Sequence, residues 1–236
     1  MSGKLVTLVF TFNEAENIGQ LVTEYFNALP DEILLVVDDD SPDGTGDRVI
    51  AMQDRFSNLH LLVRKQRRGR GTAAIEGYRY ALDHWDFPYL AYMDGDLSHP
   101  PETIVRMLSY LDKYHVVLAS RFSGNGRDLR SGLLRKLLSF ASSGWVRVLF
   151  STDIKDPTSG FAALRREVIA GILPNLNSLG PEITEELLYH FLRSKYRIME
   201  LPYDFHDRGG GKSKLDFFKL FRCLKATILL KAFGRL

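Results

Sequence analysis

Two aspartates separated by one glycine, Asp94-Gly95-Asp96, form the most informative motif of the chain. They follow the apolar run Tyr89–Met93, which predicts a buried strand, and precede Pro100-Pro101, which is typical of a helix start. In an open parallel α/β sheet, ligands bind beyond the carboxyl ends of the strands. Two carboxylates at that edge could hold a hard divalent cation and leave positions open for phosphate. The motif alone is weak evidence, because most Asp-x-Asp sequences are solvated turns.

Five further polar segments follow predicted strands or form loops. They are 11–17, 37–45, 64–72, 119–126 and 206–214. In the first, Asn13 and Glu16 could instead form a capping box at a helix start. The second holds three adjacent aspartates, which require backbone donors, solvent or a ligand, although a capped turn would also accommodate them. In the third, Gly69-x-Gly71 could let an anion approach a helix N-terminus, or the segment could be a solvated basic loop.

The last two segments carry cations. Arg121 would project a fixed fork of hydrogen-bond donors, which suits phosphate. Arg208, Lys212 and Lys214 lie in a glycine-rich loop that could close over a diphosphate. An ordinary tail loop is the structural alternative for this segment.

Apolar runs alternate with helical periodicity through the first half of the chain. The predicted strands are Leu5–Phe10, Ile33–Val37, Leu59–Val63, Tyr89–Met93 and Val116–Ala119. The predicted helices are Glu16–Leu29, Thr45–Phe56, Thr72–Trp85 and Glu102–Tyr114. This alternation predicts βαβ units, and therefore an α/β fold with a doubly wound, mostly parallel sheet. Later in the chain, Phe161–Leu164 and Arg197–Leu201 could add strands of mixed direction.

Composition narrows the class of protein. The chain has 236 residues with a single cysteine, Cys223, which excludes a disulfide framework and a cysteine zinc cluster. The six histidines show no metal-ligand spacing. We find no signal peptide, so we expect a cytoplasmic protein. No apolar run approaches the ~20 residues that span a bilayer.

Two segments predict contact with a membrane surface. From Asp207 onward the chain carries a net charge of +6, although the whole chain has only +2. Phe217–Phe233 interleaves cations with large apolar residues, and Leu133–Phe150 has helical length and few charges. A basic amphipathic helix is typical of membrane-surface or partner-helix contacts, although packing on the sheet is the alternative. We therefore divide the chain into a main domain, 1–214, and a basic amphipathic C-terminal helix, 215–236.

Taken together, the motifs resemble those of the inverting family 2 nucleotide-sugar glycosyltransferases, and within them the dolichol- or polyprenyl-phosphate mannosyltransferases. The residues that carry the resemblance are Phe12-Asn-Glu-x-Glu-Asn17, Asp38-Asp39-x-Ser-Pro-Asp-Gly-Thr45, Gly69-x-Gly71, Met93-Asp-x-Asp-Leu-Ser-His99, Ser120-Arg121-Phe122-x-Gly-Asn-Gly126, Thr158-Ser-Gly-Phe161 and Asp207-Arg208 with Gly211-Lys-Ser-Lys214. They run in order along most of the chain.

The resemblance implies a GT-A type fold and a set of site residues. The implied donor-binding residues are Phe10, Phe12, Glu14, Val37, Asp39, Asp94, Gly95, Glu185, Arg208, Ser213 and Lys214. The implied metal ligands are Asp94, Asp96 and Ser98, for Mg²⁺ or Mn²⁺. The implied catalytic residues are Asp96, Arg121 and Arg135, of which the two arginines would position an anionic acceptor, with Ser139 a weaker candidate.

Some positions depart from the family pattern. Phe10 and Phe12 replace a proline and a tyrosine, Asp40 replaces a glycine, and Arg70 replaces an apolar residue. The triple glycine 209–211 is looser than the loop of the family. These changes affect the identity of the donor more than the class of reaction.

The resemblance leads us to expect transfer of a hexose, mannose from GDP-mannose in the first instance, to a polyprenyl or dolichyl phosphate with inversion. UDP-glucose or another donor is the alternative, as is a soluble or glycan acceptor with Glu185 as base. More remote alternatives are a non-catalytic nucleotide-binding subunit and a nicotinamide dinucleotide module built on Gly69-x-Gly71. The expected partners are the donor, the lipid phosphate, and a membrane surface or small membrane subunit. Peripheral membrane association is expected, whereas nucleic-acid binding is not.

Overall fold

The computed structural model describes residues 5–65, 69–207, 209 and 217–236, with the helix backbone but not the side chains of 217–220. Its strands are β1 (Leu5–Thr11), β2 (Ile33–Asp38), β3 (Leu59–Val63), β4 (Tyr89–Asp94), β5 (Val116–Ser120), β6 (Arg127–Asp128), β7 (Ala162–Arg165), β8 (Ile198–Pro202) and β9 (Asp204–Phe205). Its α-helices are α1 (Ala15–Ala28), α2 (Thr45–Gln53), α3 (Arg70–His84), α4 (Glu102–Leu108), α5 (Leu133–Phe150), α6 (Arg166–Ile172), α7 (Ile183–Arg193) and α8 (Phe217–Phe233).

Seven strands form one sheet in the order β3-β2-β1-β4-β7-β5-β8. All neighbouring pairs are parallel except those of β7, which runs antiparallel to β4 and β5. The order reverses at β1, because β2 lies on one side of it and β4 on the other. Such a switch point opens a crevice at the carboxyl ends of the strands, and the β1–β4 register places Phe10 opposite Asp94 at that edge.

The central strands are buried on both faces. Every residue of β2 is buried, as is typical of parallel strands covered by helices on each side. One apolar cluster contains Leu8, Val37 and Tyr78, and the opposite one contains Val9, Ile18 and Met93. Successive side chains of a strand point to opposite faces, so β1 contributes to both clusters.

The predicted α/β class and mostly parallel sheet are confirmed, and the predicted mixed strands are β7 and β8. Each of the first five predicted strands agrees with the structure to within one residue. The predicted helix 102–114 is wrong beyond Leu108, because hydrogen-bonded turns follow, in which Tyr110 and Leu111 donate to Met107 and Leu108. Helices α6 and α7 were not predicted from periodicity.

Helix α8 packs on helices rather than on the sheet. The Trp145 indole of α5 donates to the Thr227 hydroxyl at 2.9 Å, and Arg222 pairs with Glu182 at 2.7 Å beside α7. Ala226, Thr227 and Leu230 form its buried side. Among the described helices we find none with the length and apolar character needed to cross a bilayer.

Candidate active site

The acidic loop after β4 has a fixed conformation. Asp96 is 4% exposed, and its Oδ1 accepts hydrogen bonds from the Ser98 backbone N–H at 3.1 Å and from the Ser98 hydroxyl. The intervening Leu97 has φ of +66°, a strained conformation for a branched side chain. A Cβ at Gly95 would lie 2.8 Å from Thr11 Cγ2, so glycine lets the loop lie against β1. Asp96 and Ser98 are thus held together as oxygen donors.

His99 supports this loop and is not available as a metal ligand through Nδ1. The Asp94 backbone N–H donates to His99 Nδ1 at 3.1 Å, so that nitrogen is unprotonated. The imidazole stacks on Phe161 at 4.8 Å between ring centroids. Burial lowers the pKa of His99, although the carboxylates of Asp94 and Asp96 oppose this shift. His99 is therefore a neutral structural residue beneath the acidic loop.

Arg70, at the start of α3, reaches Asp94. Its Nη1 lies 2.7 Å from Asp94 Oδ1, and the two side chains are partly exposed, at 30% and 26%. Although burial acts in the opposite direction, the carboxylates of Asp94 and Asp96 raise the pKa of Arg70 on balance. A Cβ at Gly160 would lie 2.5 Å from Arg70 Nη2, so this glycine provides the space for the guanidinium.

Gly69 and Gly71 serve backbone packing rather than an open phosphate loop. A Cβ at either position would lie 2.3 Å from a carbonyl oxygen, of Leu179 and Ser178 respectively. The loop that carries these carbonyls is itself held, because the N–H groups of 177 and 178 donate to the Glu186 carboxylate at 2.9 and 3.0 Å. This packing accounts for the glycine pair without a dinucleotide.

The three adjacent aspartates are largely accounted for by structure. Asp38 accepts from the Thr11 hydroxyl at 2.7 Å and from the Ser41 backbone at 2.8 Å. Asp39 pairs with the buried Arg64 and accepts from the Gly69 N–H at 2.7 Å. Burial raises the pKa of Asp39, although both partners act against the shift. Asp39 therefore connects the end of β2 to the start of α3.

The capping box of Asn13 and Glu16, which was the structural alternative for this segment, does not form. Glu14 is the N-cap of α1 without a side-chain capping bond, and Asn13 adopts φ of +61°. The loop after β2 caps this helix instead, because Asp43 accepts from the Ala15 N–H at 2.9 Å and the Thr45 hydroxyl accepts from the Glu14 N–H at 3.0 Å. Tertiary contacts thus replace the local cap.

The predicted donor-pocket residues of the first strands divide into two groups. Phe10 and Glu14 are partly exposed and Phe12 is 45% exposed, all near the carboxyl end of β1. Val37 is 0% exposed and lies in the core, where a Cβ at Gly77 would approach its methyl group to 2.9 Å. Its side chain offers no surface to a ligand, which corrects the expectation that Val37 contacts a base.

Arg121 forms a buried, two-pronged ion pair with Asp156, a residue that the sequence analysis did not single out. Arg121 Nε and Nη2 each donate to Asp156 at 2.7 Å, and the Arg121 backbone N–H donates to the same carboxylate at 2.9 Å. Asp156 is 0% exposed and raises the pKa of Arg121 against the effect of burial. The signal available in the sequence was the Asp-Pro-Thr-Ser-Gly run, which begins at Asp156.

A second arginine lies beside the first. The guanidinium carbons of Arg121 and Arg130 lie 5.2 and 4.8 Å from the Phe205 ring centroid. Arg130 pairs with Asp128 at 2.6 Å and donates to the Ser139 hydroxyl at 2.8 Å. Arg130 was not among the predicted site residues. Ser139, a weaker candidate, accepts the hydrogen bond from Arg130.

The predicted Arg135 lies nearby on α5. The pKa of Asp207 is lowered first by hydrogen bonds from Ser131 and further by the charge of Arg135. Arg135 is therefore close to the point where the described chain enters the 206–214 segment. Arg208, Ser213 and Lys214, the predicted phosphate-binding residues of that segment, lie outside the described residues.

Glu185 occupies the first turn of α7 and is 5% exposed. Burial, with the negative charge of Glu182, raises its pKa to about 7, while the Cys223 thiol and the charge of Arg70 act against this shift. Arg70 thus pairs with one predicted acid, Asp94, and its charge also acts on two others, Asp96 and Glu185.

The oxygen donors at this edge fit a divalent cation that arrives with its ligand. Among the described residues there is no group of three or more His, Cys, Asp or Glu side chains arranged to hold a metal. The protein offers the carboxylates of Asp94 and Asp96 and the Ser98 hydroxyl. Mg²⁺ and Mn²⁺ accept such oxygen ligands, and Mg²⁺ is usually bound by one or two carboxylates, with phosphate and water completing its shell.

Comparison with known proteins identifies the family of this chain. Residues 7–173 match the family described as glycosyl transferase family 2. The chain belongs to this family and is a glycosyltransferase.

Two kinds of relative are informative. The chain is 32% identical over 213 residues to the undecaprenyl-phosphate mannosyltransferase of Micrococcus luteus, covering 90% of this chain and 87% of the relative. It is also 32% identical over 225 residues to the dolichol-phosphate mannosyltransferase of Saccharomyces cerevisiae, covering 91% and 82%. Among solved structures, glucosyl-3-phosphoglycerate synthase from Mycobacterium tuberculosis, in complex with Mn²⁺ and UDP, has a TM-score of 0.73 at 17% identity, covering 99% of this chain and 81% of that one. This last similarity concerns the fold.

Proposed function

We propose that the protein transfers a mannosyl residue from GDP-mannose to the phosphate of a polyprenyl lipid, with inversion at the sugar carbon and with Mg²⁺ or Mn²⁺. One observation supports a lipid phosphate above other acceptors. The Arg121 guanidinium lies 5.0 Å from the Phe122 ring, and Phe122 contacts Phe140 of α5 at 5.9 Å between centroids. A buried arginine, ion-paired with Asp156, is thus joined through Phe122 to an exposed apolar helix. The relatives that are named mannosyltransferases of such lipids agree with this proposal.

The donor would bind along the carboxyl edge of β1, β2 and β4. Phe10, Phe12, Glu14 and Asp39 would surround the nucleoside, and the Gly95 backbone would lie near the diphosphate. Asp94, Asp96 and Ser98 would hold the divalent cation. When bound, the cation supplies charge neutralisation for the departing nucleoside diphosphate. Glu185 would line the sugar pocket, and Arg208, Ser213 and Lys214 stay predicted phosphate contacts.

The acceptor phosphate needs little activation, because it is already an anion at neutral pH. Arg121 and Arg130 would orient it, with Arg135 and Ser139 at the entrance. An acceptor phosphate oxygen forms the new bond to the sugar C1 while the bond from C1 to the donor diphosphate breaks, and that electron pair stays on the diphosphate. Preorganised guanidinium groups stabilise such charge movement without reorganising during the reaction.

Helices α5 and α8 would bring the enzyme to its lipid. Large apolar side chains are exposed on both. They are Leu133, Leu134, Leu137, Phe140, Trp145 and Val148 on α5, and Phe221, Ile228 and Phe233 on α8. Cations flank them, among which Lys225 and Lys231 are exposed. Apolar side chains beside cations favour an anionic membrane surface.

Incubation of the purified full chain with radiolabelled GDP-mannose, polyprenyl phosphate and Mn²⁺ tests the reaction. We expect label in an organic-extractable, mild-acid-labile product, and loss of this product with EDTA or in Asp96→Ala. Asp47→Ala removes an exposed acid of α2 that is not among the proposed site residues, and it is the matched control. Label that enters only a water-soluble product would show that the acceptor is not a lipid. Transfer from UDP-glucose but not from GDP-mannose would show that the proposed donor is wrong.

Vesicle flotation tests the membrane surface. The double variant Leu137→Ser and Phe140→Ser should reduce binding to phosphatidylglycerol vesicles at least fivefold, because burial of each side chain contributes about 1.5–3 kcal/mol. The matched control replaces Ile50 and Val105, exposed on α2 and α4, with serine. Equal binding of both double variants would exclude α5 as the membrane contact.

A further inference from the structure

Arg70 lies among the acids that the proposed cation would need. Its guanidinium pairs with Asp94 at 2.7 Å, while its charge also acts on Asp96 and Glu185. Because both partners of the pair are partly exposed, at 30% and 26%, the pair can open without leaving a deeply buried charge. The positive charge of Arg70 therefore competes with a cation for the Asp94 carboxylate.

The position of Arg70 is built into the surrounding backbone. Gly69 and Gly71, its two neighbours, lie against the carbonyl oxygens of the 178–180 loop, at 2.3 Å from where a Cβ would be. Asp39 accepts the Gly69 N–H at 2.7 Å and so fixes the same backbone from the opposite side. At the far end of the side chain, Gly160 leaves the space that Nη2 occupies. The guanidinium is therefore aimed at Asp94 by elements from three parts of the chain.

The fixed positive charge of Arg70 opposes the binding of a cation at Asp94. The arginine side chain stays protonated at all physiological pH values. A divalent cation at Asp94 would therefore meet a fixed positive charge that already occupies a carboxylate oxygen. A donor diphosphate would offset this repulsion between the cation and the guanidinium. Its negative oxygens can accept hydrogen bonds from the guanidinium and bind the cation at the same time.

We propose that Arg70 is a positioning residue that holds Asp94 in the donor-free protein and transfers its guanidinium to the donor diphosphate when the cation binds Asp94. The cation alone then binds weakly, and the cation and nucleotide strengthen each other's binding. This inference rests on the proposed function, since it assumes a donor diphosphate at the acidic edge. It assigns a role to a residue that replaces an apolar side chain of the family pattern.

The test is a titration of the full chain with Mn²⁺, with and without GDP, in which electron paramagnetic resonance measures the concentration of free Mn²⁺. Arg70→Leu should bind Mn²⁺ alone about five- to tenfold more tightly, which lies within the range of measured site–site couplings. GDP should increase Mn²⁺ affinity in both proteins, but the factor of increase should be at least fivefold smaller in this variant than in the wild type. Arg79→Leu, which removes an exposed cation from the same helix, should match the wild type.

Gly160→Ala provides a second variant that keeps the charge. Its Cβ would lie 2.5 Å from Arg70 Nη2 and displace the guanidinium, so Mn²⁺ alone should again bind more tightly. Circular dichroism establishes that each variant is folded. Mn²⁺ affinity that is unchanged or weaker in the folded variants would overturn the inference. Failure of the wild type to bind Mn²⁺ with GDP or UDP would instead contradict the proposed function.

Discussion

Replacement of Glu185 by glutamine should change how the stability of the protein depends on pH. Burial raises the pKa of Glu185 from its ordinary 4.5 to about 7. The folded state therefore binds this proton more tightly than the unfolded chain does. The stabilisation from this group is complete below about pH 4.5 and is lost as the pH rises to about 7. At 1.36 kcal/mol per pKa unit, the loss amounts to about 3 kcal/mol.

Glu185→Gln keeps the shape of the protonated acid and cannot ionise. Relative to the wild type, its free energy of unfolding should therefore rise by about 3 kcal/mol between about pH 5 and about pH 8. Urea denaturation at a series of pH values, followed by circular dichroism, measures this difference. The matched control is Glu102→Gln, which also removes a glutamate from the first turn of a helix, but an exposed one.

The control should show no such pH-dependent gain. If the difference in unfolding free energy between Glu185→Gln and the wild type is constant from pH 5 to pH 8, Glu185 is ionised normally in the folded protein. Burial would then not hold the Glu185 carboxyl in its protonated form.

Two further predictions concern packing and charge. Asp156→Asn leaves the buried Arg121 without its carboxylate and should lower the unfolding free energy by about 3–5 kcal/mol in urea denaturation, whereas Asp204→Asn, at an exposed pair, should leave it almost unchanged. Gly71→Ala places a Cβ 2.3 Å from a carbonyl oxygen and should destabilise by about 1–3 kcal/mol. At Gly144 an added Cβ would meet no atom within 4 Å beyond its own helix, so Gly144→Ala should stabilise α5 by about 1 kcal/mol in the same assay. Equal effects of the two glycine changes would contradict the packing argument.

The strands and the long helices were predictable because their signal is local. A run such as Ile33–Val37 is apolar at every position, which is the pattern of a strand buried on both faces. The bounds of α5 and α8 agree with their predicted bounds. Helix α6 has only seven residues, too few for periodicity to distinguish it from a loop.

The roles of polar residues were less predictable than their positions. The adjacent acids of the second segment suggested a ligand, yet Asp38 and Asp39 are paired within the fold, and Asp43 caps a helix that lies elsewhere in the sequence. The capping box that was the alternative for 11–17 is absent for the same reason. A side chain near a helix start has several possible partners, and the nearest in sequence is not the one that folding brings closest.

The sequence by itself determined the class of fold, the family pattern and the edge of the sheet at which the acids gather. These follow from hydrophobic periodicity and from motifs that are contiguous in the chain. Tertiary structure alone decided that Asp156 holds Arg121, that Arg70 pairs with Asp94, and that Val37 lies in the core. Each of these depends on which side chains meet across elements that are far apart in sequence, and no local pattern encodes the distance between them.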